Sequence, residues 1–223
     1  MHGISGTGGR HGSANIPKDY AFVTALNSPV RDSQADVYKS IDAYVKTFIR
    51  QFEASGERIK SLYLYSQNSG TGKTTTAIGC LNSYLITHYI GSLQRGIKQL
   101  DRPVFFLEVA EFQNLYNAFN RNKVPEEIAE LAAEKYYRWM KCAQETPFVV
   151  LDDVGTRSST EGFRGDLHSI INARVTNQLP TVYTSNVPIS ELPNIFGEQR
   201  LADRVRDMTI TLLFNGESKR GRR

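Results

Sequence analysis

Apolar residues fall into two patterns along the chain. Short, nearly unbroken apolar runs occupy 61–65, 104–107, 148–151, 181–184 and 210–214, and each predicts a strand. Elsewhere apolar positions recur every three or four residues. Val37, Ile41, Tyr44, Val45, Phe48 and Phe52 predict an amphipathic helix. Ser33-Gln34-Ala35-Asp36 reads as its capping box, and Ser55-Gly56-Glu57 as its end. A second helix is predicted over about 73–89, and another over about 161–178. Pro125 followed by Glu126 and Glu127 opens a further helix, with acids where the helix dipole favours them. Its apolar face is Ile128, Leu131, Ala132, Tyr136, Trp139 and Met140, read as core. The polar, basic stretch 91–103 reads as a connecting loop. Unbroken apolar strands alternating with helices predict an α/β fold whose parallel sheet is covered on both faces.

The first strand run leads into a glycine-rich turn, Ser66-Gln67-Asn68-Ser69-Gly70-Thr71-Gly72-Lys73-Thr74-Thr75. Strand, loop and helix in this order form the setting of a phosphate-binding loop. Backbone N–H groups from Ser69 to Thr75 would face phosphate at the helix N-terminus. Lys73 would reach the β- and γ-phosphates, and the Thr74 hydroxyl would ligate magnesium. Gln67 stands where the usual pattern has its first glycine, so either its backbone takes an allowed conformation or the loop is weakened.

The third run ends in Asp152-Asp153, which puts two carboxylates at the edge of the sheet where ligands bind. Asp152 would hold the magnesium shell and Asp153 would orient the attacking water. Thr184-Ser185-Asn186 ends the fourth run. Asn186 is either a partner of the γ-phosphate or a turn residue before Pro188. Arg200, Arg204 and Arg206 fall on helical spacing, as either a basic helix face or an arginine finger donated to a neighbouring subunit.

Composition adds exclusions. The chain has 223 residues, 40% hydrophobic and 22% charged, enough for one large domain. No apolar run approaches a membrane span, and the N-terminus has no signal-like apolar region. Cys80 and Cys142 lie far apart, which argues against a zinc or disulfide framework and for a reducing cytoplasm. A net charge of +4 permits a nucleic-acid partner without demanding one. Residues 1–16, rich in Gly, Ser and His, read as a flexible linker before a domain over 17–223. His88 and His168 have no ligand-spaced partners and read as surface or packing residues. Tyr20 and Phe22 read as either adenine contacts or an N-terminal anchor.

The ordered set Ile16-Pro17-x-x-Tyr20, Gly70-Thr71-Gly72-Lys73-Thr74, Leu151-Asp152-Asp153-Val154-Gly155, Thr184-Ser185-Asn186-Val187-Pro188, Gly197-Glu198-Gln199-Arg200, Asp203-Arg204-Val205 and Gly216-Glu217-Ser218 carries a family resemblance. It resembles the DnaC/DnaI-type replicative helicase loaders, a branch of the AAA+ ATPases, over roughly 15–220. The resemblance implies a five-stranded parallel sheet between helices, without the usual helical lid. It makes Lys73 the Walker A lysine, Asp152 and Asp153 the Walker B acids and Asn186 the sensor-1 residue. It favours Arg204 over Arg200 as the finger and puts a sensor-2 arginine at Arg220. ATP and Mg2+ are the implied cofactors. A hexameric replicative helicase, single-stranded DNA and further copies of the chain in an ATP-dependent oligomer or spiral are the implied partners. Asp153 stands where many AAA+ proteins have Glu, so a slow, partner-regulated ATPase is expected. The family's N-terminal helicase-gripping domain has no counterpart, so an isolated ATPase domain or a phage variant is expected. Arg157 and Arg164 are either part of a DNA path or ordinary surface charge. Three other functions stay open on these motifs: an IstB-like transposition-helper ATPase, a small-molecule P-loop kinase, and a nucleotide-gated binding module with little hydrolysis.

Overall fold

The computed structural model describes residues 8–53, 57–121, 123–155 and 157–218. Its five strands are β1 (Ser61–Tyr65), β2 (Val104–Glu108), β3 (Phe148–Asp152), β4 (Thr181–Ser185) and β5 (Thr209–Leu213). They pair in parallel in the order β2-β3-β4-β1-β5. The helices are α1 (Gly9–Ser13), α2 (Ala35–Lys46), α3 (Lys73–Gln94), α4 (Val109–Asn120), α5 (Glu126–Glu145), α6 (Glu161–Thr176), α7 (Leu192–Phe196) and α8 (Gln199–Met208).

The unbroken apolar runs follow from burial on both faces. Successive side chains of a strand point to opposite sides. Tyr63, Phe105, Leu107, Val149, Leu151 and Tyr183 therefore pack against α4 to α8 on one face. Leu62, Leu64, Phe106, Phe148, Val150 and Val182 pack against α2 and α3 on the other. β5 at the sheet's edge is different, with Ile210 and Leu213 exposed. Among the described residues no helix is long and apolar enough to cross a membrane.

Several expectations change. Residues 9–16 are not a loose linker. Ala14 is fully buried, and its carbonyl accepts the Phe106 N–H at 2.8 Å. The Asn15 amide returns a bond to the Phe106 carbonyl at 3.0 Å. The lead-in thus satisfies part of the open edge of β2, which otherwise presents unpaired backbone. The capping box does not form either. Ser33 lies in a 3-10 turn and donates to Val30, while the helix starts at Ala35. After Lys46 the chain continues as 3-10 turns to Phe52, and the predicted stop at Ser55-Gly56 lies outside the described residues. α3 runs to Gln94, so the loop expected over 91–103 begins later. α4 falls outside the predicted helices, although Val109, Phe112, Tyr116 and Phe119 carry helical spacing. On α5, Tyr136 and Trp139 are core as expected, but Ile128 and Leu131 are exposed.

The amino-terminal edge of the sheet is held by one buried cation. Arg174, at the end of α6, is fully buried. Its guanidinium donates to the Thr181 hydroxyl and to the carbonyls of Ala143, Thr146, Pro147 and Pro180. These atoms end α5 and start β3 and β4. Burial pulls the Arg174 pKa down to about 10, while the oxygen acceptors take the place of water. Arg174→Met would leave several buried carbonyls without donors. It is expected to destabilise the fold by about 3 kcal/mol or more. Thermal unfolding should show Tm lower by roughly 6–12 °C.

Candidate nucleotide site

β1 ends at Tyr65, and residues 66–72 turn back over the sheet before α3 begins at Lys73. Gly70 and Gly72 have φ of 74° and 103°, the left-handed region that favours glycine. A Cβ on Gly72 would also lie 2.9 Å from Val30. Gln67 is exposed and is absent from the left-handed positions, so its replacement of glycine carries no backbone strain. The loop is pinned from two sides. Buried Gln34 donates to the carbonyls of Thr71 and Asn215, and the Asn68 amide donates to the Gly216 carbonyl.

The first N–H groups of α3 have no partner within the helix, and no acid occupies its first turn. That end of the helix therefore presents positive potential to an anion. Lys73 is buried, and its ammonium donates to Asn186 Oδ1 at 2.5 Å, to the Asn68 carbonyl at 3.1 Å and towards the Ser66 carbonyl at 3.5 Å. The Thr74 hydroxyl donates to Asp152, 3.0 Å from Oδ1 and 3.2 Å from Oδ2. Ser69 is exposed, and Thr75 is partly buried on the first turn.

Asp152 is 6% exposed at the end of β3, and no salt bridge among the described residues includes it. Burial pushes its pKa up to about 6, and the charges of Asp153 and Glu108 add to this. Hydrogen bonds from Thr184 and Thr74 work in the opposite direction. Among the described residues no cluster of three His, Cys, Asp or Glu side chains is placed to hold a metal. The site nevertheless fits magnesium, which takes oxygen ligands and is commonly held by one or two carboxylates together with substrate phosphates. A buried carboxylate bonded only to hydroxyls has the chemistry such a cation would balance.

Asp153 has φ of 65°, unusual for a residue with a side chain. It borders a cavity of about 460 Å³ between α4, α6 and the segment leading into α7, with Gln113, Arg157, Arg164 and Asn194 also on its wall. Arg157 donates to Asn114. Two hydroxyls of the Thr184-Ser185-Asn186 string prove central. Thr184 donates to Asp152 and accepts the Asp153 N–H, and Ser185 donates to the Val154 carbonyl. A hydroxyl pair on the strand beside the acids was the available signal. Gln34 had none, because its contacts are distant in sequence.

Lys73, Thr74, Asp152 and Asn186 are thus brought together. Arg204 is not among them. Its guanidinium donates to Asn172 at 3.0 Å and Thr176 at 3.2 Å on α6. Arg206 pairs with Asp203, and Arg200 is exposed. Arg220 lies outside the described residues. Tyr20 is tied through its carbonyl to Asn82, nine residues along α3 from Lys73 and so about 13 Å away along the axis. That contact makes the Tyr20 segment an anchor on α3, and Phe22 is largely exposed. His88 packs against Phe52 and bonds to Gln51 and the Leu100 N–H.

No family model matches the chain. The replicative helicase loader DnaI of Bacillus subtilis is 25% identical over 190 residues, covering 79% of this chain and 52% of that protein. The chain therefore spans about half the length of that curated relative. A crystal structure of DnaI superposes with a TM-score of 0.61 at 19% identity, covering 92% of this chain and 95% of that one. The DnaC helicase loader gives 0.60 at 20% identity, over 89% and 100%. By sequence and by fold, the chain resembles the DnaC/DnaI-type AAA+ loaders. AMPPCP-bound DnaA from Aquifex aeolicus shares the fold at a TM-score of 0.56 and 16% identity, over 90% of this chain and 51% of that one. The five-stranded parallel α/β sheet expected from the sequence is the sheet observed.

The two loop positions should behave in opposite ways. Gly72→Ala must strain the left-handed backbone and crowd Val30, and is expected to cost about 1–3 kcal/mol in thermal unfolding. Gln67→Gly is expected to change stability by less than about 1 kcal/mol.

Proposed function

We propose that the chain is an ATP-dependent helicase loader of the DnaC/DnaI type. The observation that carries this reading is the convergence of Lys73, Thr74, Asp152 and Asn186 at the carboxyl edge of the sheet. The sequence and fold likeness to loaders supports it over the transposition-helper and kinase readings.

In this reading the loop from Ser69 to Thr75 binds the phosphates through its N–H groups. Lys73 exchanges Asn186 and the loop carbonyls for the β- and γ-phosphate oxygens. Asn186 is then free to bond the γ-phosphate or the attacking water. Thr74 and Asp152 would hold magnesium, which supplies charge neutralisation on the phosphates. Asp153 orients the water. Being shorter than Glu, it fits a slow ATPase. Arg204 would act on the site of a neighbouring copy. Its bonds to Asn172 and Thr176 hold the side chain against α6 until that neighbour docks. Arg220 would contact the nucleotide as a sensor-2 residue. ATP-dependent assembly would present a hexameric helicase with single-stranded DNA, with Arg157 and Arg164 near its path.

Arg204→Ala is expected to reduce ATPase by about 10³-fold or more, as loss of an arginine finger does. Mixing it with Lys73→Ala subunits should restore part of the activity, because each variant supplies the half-site the other lacks. Failure to restore activity would count against a shared site. Pull-down of hexameric helicases with and without ATP tests the loader role. Stimulation by double-stranded but not single-stranded DNA would favour the transposition helper instead.

A further inference from the structure

We propose that Thr184 is a positioning residue of the nucleotide site, whose single hydroxyl sets the Asp152 carboxylate for the metal and fixes the peptide that carries Asp153. The inference deepens the ATPase reading and rests on it.

Thr184 is 1% exposed and is the penultimate residue of β4. Leu151 pairs with Tyr183, so the register sets Asp152 beside Thr184. A threonine hydroxyl has one proton to give and two lone pairs to receive. Thr184 gives its proton to Asp152 Oδ1 at 2.7 Å and receives the Asp153 N–H at 2.9 Å. Both bonds form at once only when the proton faces the carboxylate.

The consequence for Asp152 is an asymmetry between its two oxygens. Oδ1 accepts Thr184 at 2.7 Å and Thr74 at 3.0 Å. Oδ2 has only the longer 3.2 Å approach of Thr74. Thr184 therefore selects Oδ2 as the oxygen left for a cation or its water. Thr74 keeps its proton on Asp152 and would still have a lone pair to offer a bound cation.

The consequence for Asp153 is conformational. A non-glycine residue at φ of 65° persists only where its surroundings over-determine it. Here Thr184 and Ser185 supply the restraint. The Thr184 hydroxyl holds the Asp153 N–H, and the Thr184 carbonyl accepts the Val154 N–H at 2.9 Å. The Ser185 hydroxyl donates to the Val154 carbonyl at 2.6 Å. Two adjacent β4 residues thus clamp the turn that aims the water-orienting acid, and one atom, Thr184 Oγ1, serves both carboxylate residues.

The test compares Thr184→Val, which keeps the shape and loses the hydroxyl, with Thr184→Ser, which keeps the hydroxyl. Two quantities are read: the Mg2+ dependence of binding a non-hydrolysable ATP analogue, and kcat with KM at saturating Mg2+. The valine variant should bind the analogue in EDTA within about twofold of wild type. Its Mg2+ half-saturation should rise, and its kcat fall, by about 10–100-fold, the usual effect of removing an outer-shell partner. KM should change little, and serine should restore both quantities. If valine does not fit the bonded site, Thr184→Ala removes the hydroxyl with less volume and should give the same pattern. Wild-type Mg2+ dependence and kcat in the variants lacking the hydroxyl would overturn the proposal. So would a serine variant as impaired as valine. If the wild-type chain itself shows no Mg2+-dependent binding of the analogue, the ATPase reading fails and this inference with it.

Discussion

Parallel pairing of β4 with both β1 and β3 is the constraint on which the site depends. Parallel strands deliver all their carboxyl ends to one edge of the sheet. The glycine-rich loop leaves β1 there, the acids leave β3, and Asn186 leaves β4. β1 and β3 are not neighbours, so β4 stands between the lysine and the carboxylates. Contacts from β4 and the residue after it join the two: Asn186 holds Lys73, and Thr184 holds Asp152. An antiparallel strand in that place would turn its hydroxyl and amide to the far edge.

The two edges of the sheet solve opposite electrostatic problems. At the amino edge a buried arginine is surrounded by carbonyl oxygens and needs no carboxylate. At the carboxyl edge a buried aspartate is surrounded by hydroxyls. The first arrangement is complete in itself and serves the fold. The second leaves negative charge poorly balanced, which suits a site that takes up a cation with its ligand.

Much of this was legible in the chain, for identifiable reasons. The five strands were visible because burial on both faces makes their sequences continuously apolar. The loop and the acids were visible because glycine, lysine and paired carboxylates cluster locally. What escaped depended on contacts between distant segments. The lead-in around Ala14 looks featureless, yet it finds the open backbone of β2 some 90 positions later. Ser33 has the composition of a helix cap, but the turn that packs Val30 against Gly72 puts it to another use. Gln67 looked anomalous because the motif pattern demands glycine. The backbone at that position does not demand it.

In the proposed reading, the protein partners of Lys73 would alter what affinity for phosphate means. Its ammonium is already solvated by protein oxygens when a ligand arrives. The free energy gained on phosphate is therefore a difference between two sets of acceptors, not the whole strength of a lysine–phosphate contact. Such an exchange lowers net affinity and makes release easier. In the proposed reading it would also tie the departure of Asn186 from the lysine to the arrival of the ligand, passing occupancy of the loop to the end of β4 by substitution of one hydrogen-bond partner for another.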